Sequence, residues 1–464
     1  MVFIKLLKAF SGIVFIVFLW SDSCEAKEAG IFHPQTFTLE NGLQVLVISN
    51  PRAPVITQMI YYKVGSMDDP IGKSGLAHFL EHLMFKGTSG VPAGGFMEAI
   101  TKIGGEQNAV TTFDYTYYYQ NVSADHLELI IKLEADRMTN LALLPNLVEN
   151  ERKVILEERR LRTDNEPASI LGEAVNKAFY WHHPYGRPPI GWEHEMKTLT
   201  QEDAKTFYKT WYAPNNAILI FAGDVTVAKL KPLVEKYYGK IPRGEVRLRS
   251  HVQEPVHREV SERLSLSSPL VDYFSWERHY PAPNFQAKNQ AYPYALDVLS
   301  YILGNGATSV FYRKLVEGQK IVTSINVNYS ASNFGPAMFS ISAQPSGSHT
   351  LEEVEAAIQQ EIEKLIKNGI SKEEVEKAKN RKLAGLAYLK DDVLSGAQEF
   401  GITLAIGRTI NDIELWPERI KSVTVEDVNA VLKLVFESKD HVTALLMPEK
   451  TRAISPQNMG VETK

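Results

Sequence analysis

Residues 78–82 read HFLEH, inside the run GLAHFLEHLMFKGT. His78 and His82 stand four positions apart, the spacing at which two side chains share one face of a helix. Two imidazoles so placed can ligate one ion, and zinc suits them. Glu81 lies on the same side, where its carboxylate can take a proton from a water activated by that ion. Leu76, Phe79, Leu80 and Leu83 fall largely on the opposite side and are expected to anchor the helix in a core. The bland alternative is an ordinary helix with satisfied histidines, so a further ligand is needed.

A catalytic zinc takes three protein ligands and keeps one position open. The stretch ENERKVILEERR (149–160) offers carboxylates on an expected helix. With about 100° per residue, Glu151 and Glu158 lie about 20° apart around the axis. Val154 and Ile155 flank them, so both carboxylates are expected to face the core. Glu157 falls roughly 120° away and Glu149 roughly 160° away, on the expected solvent side. A core-facing carboxylate needs a partner, either a metal or a guanidinium such as Arg152 or Arg159. Glu151 and Glu158 are about 10 Å apart along the axis, too far to hold one ion together. One is expected as the ligand and the other behind it, holding a histidine or the substrate. Spacing does not choose between them.

The elements that must position these groups follow from local pattern. Residues 37–49 read as a hairpin with Asn41-Gly42 as its turn. Residues 55–63 read as a strand and 106–122 as paired strands rich in aromatic and β-branched residues. Helices are expected at 74–85, 94–103, 124–139, 146–162 and 201–211, the last leading into the strand NNAILIFAGD. The tyrosines from Tyr115 to Tyr119 are expected on core and sheet faces.

The second half repeats this plan. LTQEDAKTFYKTWYAPNNAILIFAGD (199–224) matches VTVEDVNAVLKLVFESKDHVTALLMP (423–448), each a capped helix, a short loop and an apolar strand. HFLEHLMFKG (78–87) is aligned with SVFYRKLVEG (309–318), which puts Ser309, Tyr312 and Arg313 at the places of His78, Glu81 and His82. Only the first half is then expected to hold a metal. The fold class expected is α+β: two homologous α/β domains, each a mainly antiparallel sheet packed with helices. They are expected at 30–245 and 255–455, joined by a polar linker around 243–258.

The 464-residue chain, 44% hydrophobic and 23% charged, can bury a large core unaided. Its formal net charge of -5 and lack of basic runs give no footprint for nucleic acid. Lys5 and Lys8, then the apolar residues 9–20, then Cys24 and Ala26 at the -3 and -1 places, form a secretory signal layout over 1–26. Cleavage after Ala26 would remove the single cysteine, which suits a secreted or periplasmic chain without disulfides. No membrane association is expected beyond the signal.

With Glu before the second His, the motif has the inverzincin order. The chain resembles the pitrilysin family, which includes insulin-degrading enzyme and the mitochondrial processing peptidases. The resemblance runs through GLAHFLEHLMFKGT, NAVTTFDYTYYY (108–119), LEADRM (133–138), ERKVILEE (151–158), HPYGRPPIGW (183–192) and PNNAILIFAGDV (214–225). It implies one zinc per chain on His78, His82 and Glu158, with Glu81 as base and Glu151 in support. It implies peptide binding as an added strand along a sheet edge at Asn108 and Ala109.

The family element L-R-E-x-x-G-L-x-Y supplies an Arg and a Tyr that hold substrate and stabilise the oxyanion. Here the matching stretch is LVEGQKIVT (315–323), with Val316 and Thr323 at those two places. Arg313 and Tyr329 are nearby but out of register. Two domains also make half of the four-domain clamshell of single-chain relatives. The resemblance therefore implies a zinc endopeptidase for peptides or unfolded segments, acting as the metal-bearing subunit beside a homologous chain with the Arg/Tyr pair, or as a homodimer. The alternative it leaves is a non-catalytic assembly or peptide-binding subunit.

Overall fold

The computed structural model describes residues 30–255 and 259–449. The signal and its cleavage point lie outside the described residues, as does everything beyond residue 449. The first sheet holds β1 (Gln35–Thr38), β2 (Gln44–Ser49), β3 (Val55–Tyr62), β4 (Glu106–Thr111), β5 (Thr116–Ser123) and β6 (Ala217–Gly223), in the order β1-β2-β6-β3-β5-β4. β2 and β6 are parallel, and the other neighbours are antiparallel. β6 is AILIFAG, buried throughout, as a strand covered on both faces must be. β5 alternates buried and half-buried residues.

The second sheet holds β7 (Ser261–Ser268), β8 (Ser275–Ala282), β9 (Val322–Tyr329), β10 (Ala337–Pro345) and β11 (His441–Pro448), in the order β7-β11-β8-β10-β9. That is the first sheet without β1, and the parallel pair recurs as β7 with β11. Both sheets are mixed and packed with helices, as the fold class anticipated.

The structure corrects three details of the sequence reading. Asn41-Gly42 does not form a two-residue turn, because β1 and β2 pair only up to Thr38 and Gln44. Gly42 still takes φ 92°, while the Asn41 amide is tied to the carbonyls of Tyr238 and Ile241. Second, Val154 is 50% exposed, so the buried stripe of its helix is Val148, Glu151, Ile155 and Arg159. Third, residues 309–318 are not the counterpart of 78–87. Helix Tyr292–Gly304 packs on helices Val425–Phe436 and Lys372–Asp391, as helix Leu76–Leu83 packs on Gln201–Trp211 and Pro145–Arg159. Residues 309–318 lead into β9 as helix Gly95–Lys102 leads into β4. Matching Gly87 to Gly306 puts Asp297, Ser300 and Tyr301 at His78, Glu81 and His82. Buried Val298, Leu299 and Leu303 then fall at Phe79, Leu80 and Met84.

Each sheet is covered on one face by its own helices and on the other by a helix from the opposite half. Helix Val393–Ala405 lies on β3 and β6, where Gly401 meets the fully buried ring of Tyr61 and leaves no room for a Cβ. Helix Pro167–Phe179 lies on β7 and β11. The exchange continues at the N-terminal side, where the backbone N–H groups of Ile31, Phe32 and His33 all donate to the Glu414 carboxylate. Neither apolar sheet face is complete without the other half of the chain.

Candidate active site

Helix Leu76–Leu83 carries His78, Glu81 and His82, and Leu76, Phe79, Leu80 and Leu83 bury its back, as its spacing required. Its start is held from a distance. Gly75 takes φ 85°, and the Asp69 carboxylate accepts from the N–H groups of Gly75 and Ala77, both at 2.8 Å. Arg187, from the HPYGRPPIGW stretch, ties the same segment by donating to the carbonyls of Met67, Asp69 and Pro70. The sequence reading missed Asp69, because a capping carboxylate is sought beside the helix and not six residues earlier. Asp69→Ala leaves two buried N–H groups without an acceptor next to His78. We expect it to lower stability by about 1–3 kcal/mol, read from urea unfolding.

Helix Pro145–Arg159 brings Glu158 against the two histidines. Its Oε2 lies 3.4 Å from His82 Nε2 and 3.8 Å from His78 Nε2. One donor atom from each of the three residues falls within 4.8 Å of the others. Glu158 Oε2 is buried and accepts no hydrogen bond, while Arg162 lies 3.0 Å from its other oxygen. Glu151 stands about two turns earlier on the same helix, 2.9 Å from His82 Nδ1 and 2.6 Å from Lys86 Nζ. A carboxylate at Nδ1 fixes the tautomer that leaves the Nε2 lone pair free. Two imidazole nitrogens and a carboxylate oxygen, converging with that oxygen unsatisfied, fit a zinc ion. Glu149 and Glu157 are exposed and pair with Arg152 and Arg160.

Charge is poised around this convergence. Burial, then repulsion from His82, takes the His78 imidazole down to about 4, so it is neutral near pH 7. For His82 burial acts in the same direction, but the Glu151 hydrogen bond and the nearby Glu158 carboxylate outweigh it and raise the imidazole to about 9. The His82 imidazole, 3.4 Å away, holds Glu158 below the usual carboxylate range. Burial raises the Glu81 carboxyl, against a 2.6 Å hydrogen bond from the Thr111 hydroxyl.

The ion-free protein should therefore show a pH signature. The folded value of His82 lies above its unfolded one of about 6.5, so its contribution to stability is complete below that pH. The contribution is lost as pH rises through about 9. The urea midpoint of the chelated wild type should fall across that interval relative to chelated His82→Gln. Parallel curves would remove the His82 pairing as the cause.

Asn108 and Ala109 lie on β4, the edge of the first sheet. The Thr112 N–H donates to Tyr115 O, so alternation leaves the backbone polar groups of Gln107, Ala109 and Thr111 facing the open side. Asn108 Oδ1 takes the Ala109 N–H at 2.9 Å. Thr111, at the end of this edge, touches Glu81. In the second half, Val316 packs against the apolar core and Thr323 is exposed at the start of β9. Arg313 is engaged by Glu374 at 2.6 Å, and the Tyr329 hydroxyl donates to Pro283 O. Among the described residues His78, His82 and Glu158 are the group of three able to hold a metal.

The profile described as "Insulinase (Peptidase family M16)" matches residues 44–191, and the one described as "Peptidase M16 inactive domain" matches 198–382. The zinc protease PqqE of Helicobacter pylori is 30% identical over 420 residues, spanning 89% of this chain and 93% of that one. A crystal structure of a protease from Helicobacter pylori superposes with TM-score 0.82 at 29% identity, covering 89% of this chain and 99% of the other. The periplasmic protease PqqL from Escherichia coli has the same fold, with TM-score 0.77 at 18% identity, and 89% of this chain covers 47% of it. The motif stretches, the repeated mixed sheets and this near full-length likeness agree: the chain belongs to peptidase family M16, the insulinase or pitrilysin family.

Proposed function

We propose that the chain is a zinc-dependent endopeptidase for peptides or unfolded segments, working as the metal-bearing subunit beside a homologous chain. The observation that carries this is the convergence of His78, His82 and Glu158 with Glu81 alongside, in a family with relatives named zinc proteases. His78 Nε2, His82 Nε2 and Glu158 Oε2 would hold one ion. A zinc ion supplies Lewis acidity, which makes water easier to deprotonate and polarises a peptide carbonyl.

The chain's own groups do the rest. Glu81, with its proton affinity raised by burial, takes the proton from water and passes it to the leaving amine. The Thr111 hydroxyl fixes which Glu81 oxygen faces the site. Glu151 holds the His82 ring in place. A peptide added to β4 would pair with the open backbone groups around Asn108 and Ala109 and reach Glu81 at the Thr111 end. Such pairing reads backbone more than side chain, which suits unfolded substrates.

The partner follows from what the second half lacks. Val316 and Thr323 cannot stabilise an oxyanion, and Arg313 and Tyr329 are committed elsewhere. This chain also covers only 47% of PqqL. The domains would span 30–245 and 255–455, and the signal over 1–26 would direct the chain to a secreted or periplasmic location. None of the described helices is long and apolar enough to cross a membrane.

The test is turnover of an unstructured peptide by the zinc-loaded chain alone and after mixing with a homologous chain from its source. Activity that appears on mixing supports the reading. Full activity of the chain alone removes the partner requirement. Zinc and peptide binding without turnover in either case would make it a non-hydrolysing assembly or binding subunit.

A further inference from the structure

The second half contains a basic cavity that the peptidase reading does not use. It has a volume of about 240 Å³ and lies between helix Tyr292–Gly304, the 305–318 segment and helix Lys372–Asp391. Two of these helices are the topological counterparts of the helices that carry His78 and Glu158. Their lining has changed sign. Arg313, Lys377 and Arg381 face the cavity with Glu374 as its sole carboxylate, and Thr308 and Ser309 add hydroxyls.

The state of these groups points to a ligand. Arg313 is held by Glu374 at 2.6 Å, and Lys377 by Glu373, outside the lining, at 2.5 Å. Arg381 donates to the Thr308 hydroxyl and has no ion pair among the described residues. Ser309 is 3% exposed, and its hydroxyl is buried without a hydrogen-bond partner. The buried Ser309 hydroxyl left unsatisfied is unfavourable, and an anion that accepts from it would also meet the exposed, unpaired Arg381 guanidinium. The remaining walls are Asn305 and the largely apolar Tyr301, Ile302, Val310 and Ala378, and they leave room for more than a bare ion.

We propose that this cavity binds the phosphate group of a small molecule. Its donors come from two separate elements, and the guanidinium fork of Arg313 is already occupied. That suits a tetrahedral anion with several acceptor oxygens better than a planar carboxylate. The site is independent of zinc and of peptide hydrolysis.

The test is calorimetric titration of the zinc-loaded full chain with inorganic phosphate, phenyl phosphate and benzoate. Saturable phosphate binding that weakens with added salt is expected. Arg381→Ala and Ser309→Ala should each weaken it by about tenfold or more. Both should keep the wild-type melting temperature, since one group is exposed and the other makes no bond. His78→Ala should retain binding, which separates this cavity from the metal site. Tighter binding of phenyl phosphate identifies an organic phosphate, and equal binding identifies free phosphate; both support the site. Absence of saturable binding, unchanged affinity in Arg381→Ala and Ser309→Ala, loss of binding in His78→Ala, or equal affinity for benzoate would overturn it.

Discussion

Glu81→Gln should stop peptide hydrolysis while zinc and peptide binding persist. The amide is isosteric, and its oxygen can still accept from Thr111, so the helix and its neighbours have no reason to move. What is lost is the basic oxygen. General-base removal costs about 10²- to 10⁴-fold in rate, and it falls on kcat, since Glu81 holds neither ion nor peptide in this reading. The measurement is kcat and KM on an unstructured peptide with the partner chain present, alongside zinc content. Turnover undiminished in Glu81→Gln would remove Glu81 as the base. A loss of zinc in that variant would instead place Glu81 among the ligands.

The second large effect separates two neighbouring glutamates. Glu158→Gln should weaken zinc affinity by more than about 100-fold, whereas Glu157→Gln should leave it unchanged. Glu157 is exposed and paired only with Arg160. Glu158 Oε2 sits between both histidine Nε2 atoms with no hydrogen-bond donor of its own. Glu151→Gln should fall between them, at about 10- to 100-fold, because it orients a ligand without being one. Competition with a chelator of known affinity gives all three values. Equal losses for Glu157 and Glu158 would undo the helix-face assignment.

The histidine pair was legible because four residues make about one helical turn, and local geometry is enough to place both rings. Glu157 was excluded in the same way. The choice between Glu151 and Glu158 was not legible from periodicity, because both fall on nearly the same side of the helix, Glu151 buried and Glu158 half-buried, and only the approach of another helix tells them apart. Val154 misled for a related reason. It lies on the margin of that stripe, and no neighbouring element covers the margin. The repeat was visible where it is strongest, in the capped helix and apolar strand that close each half. It was misaligned where the chemistry had diverged, since helix Tyr292–Gly304 has kept only the burial pattern of its counterpart.

The sequence by itself determined the types and local spacing of the groups at the candidate metal site, the paired strands beside them, and the lack of an Arg/Tyr pair at 316 and 323. These depend on short-range periodicity and on residue chemistry, which a linear string carries in full. Tertiary structure alone decided that Glu158 meets both histidines while Glu151 stands behind His82, and that distant Asp69 holds helix Leu76–Leu83 at its start. It also decided that each sheet is completed by a helix from the other half, and that a basic cavity stands where the second half's counterpart helices meet. The physical reason is common to all of these. They depend on the relative placement of elements far apart in sequence, set by packing apolar faces and satisfying buried polar groups across the whole fold.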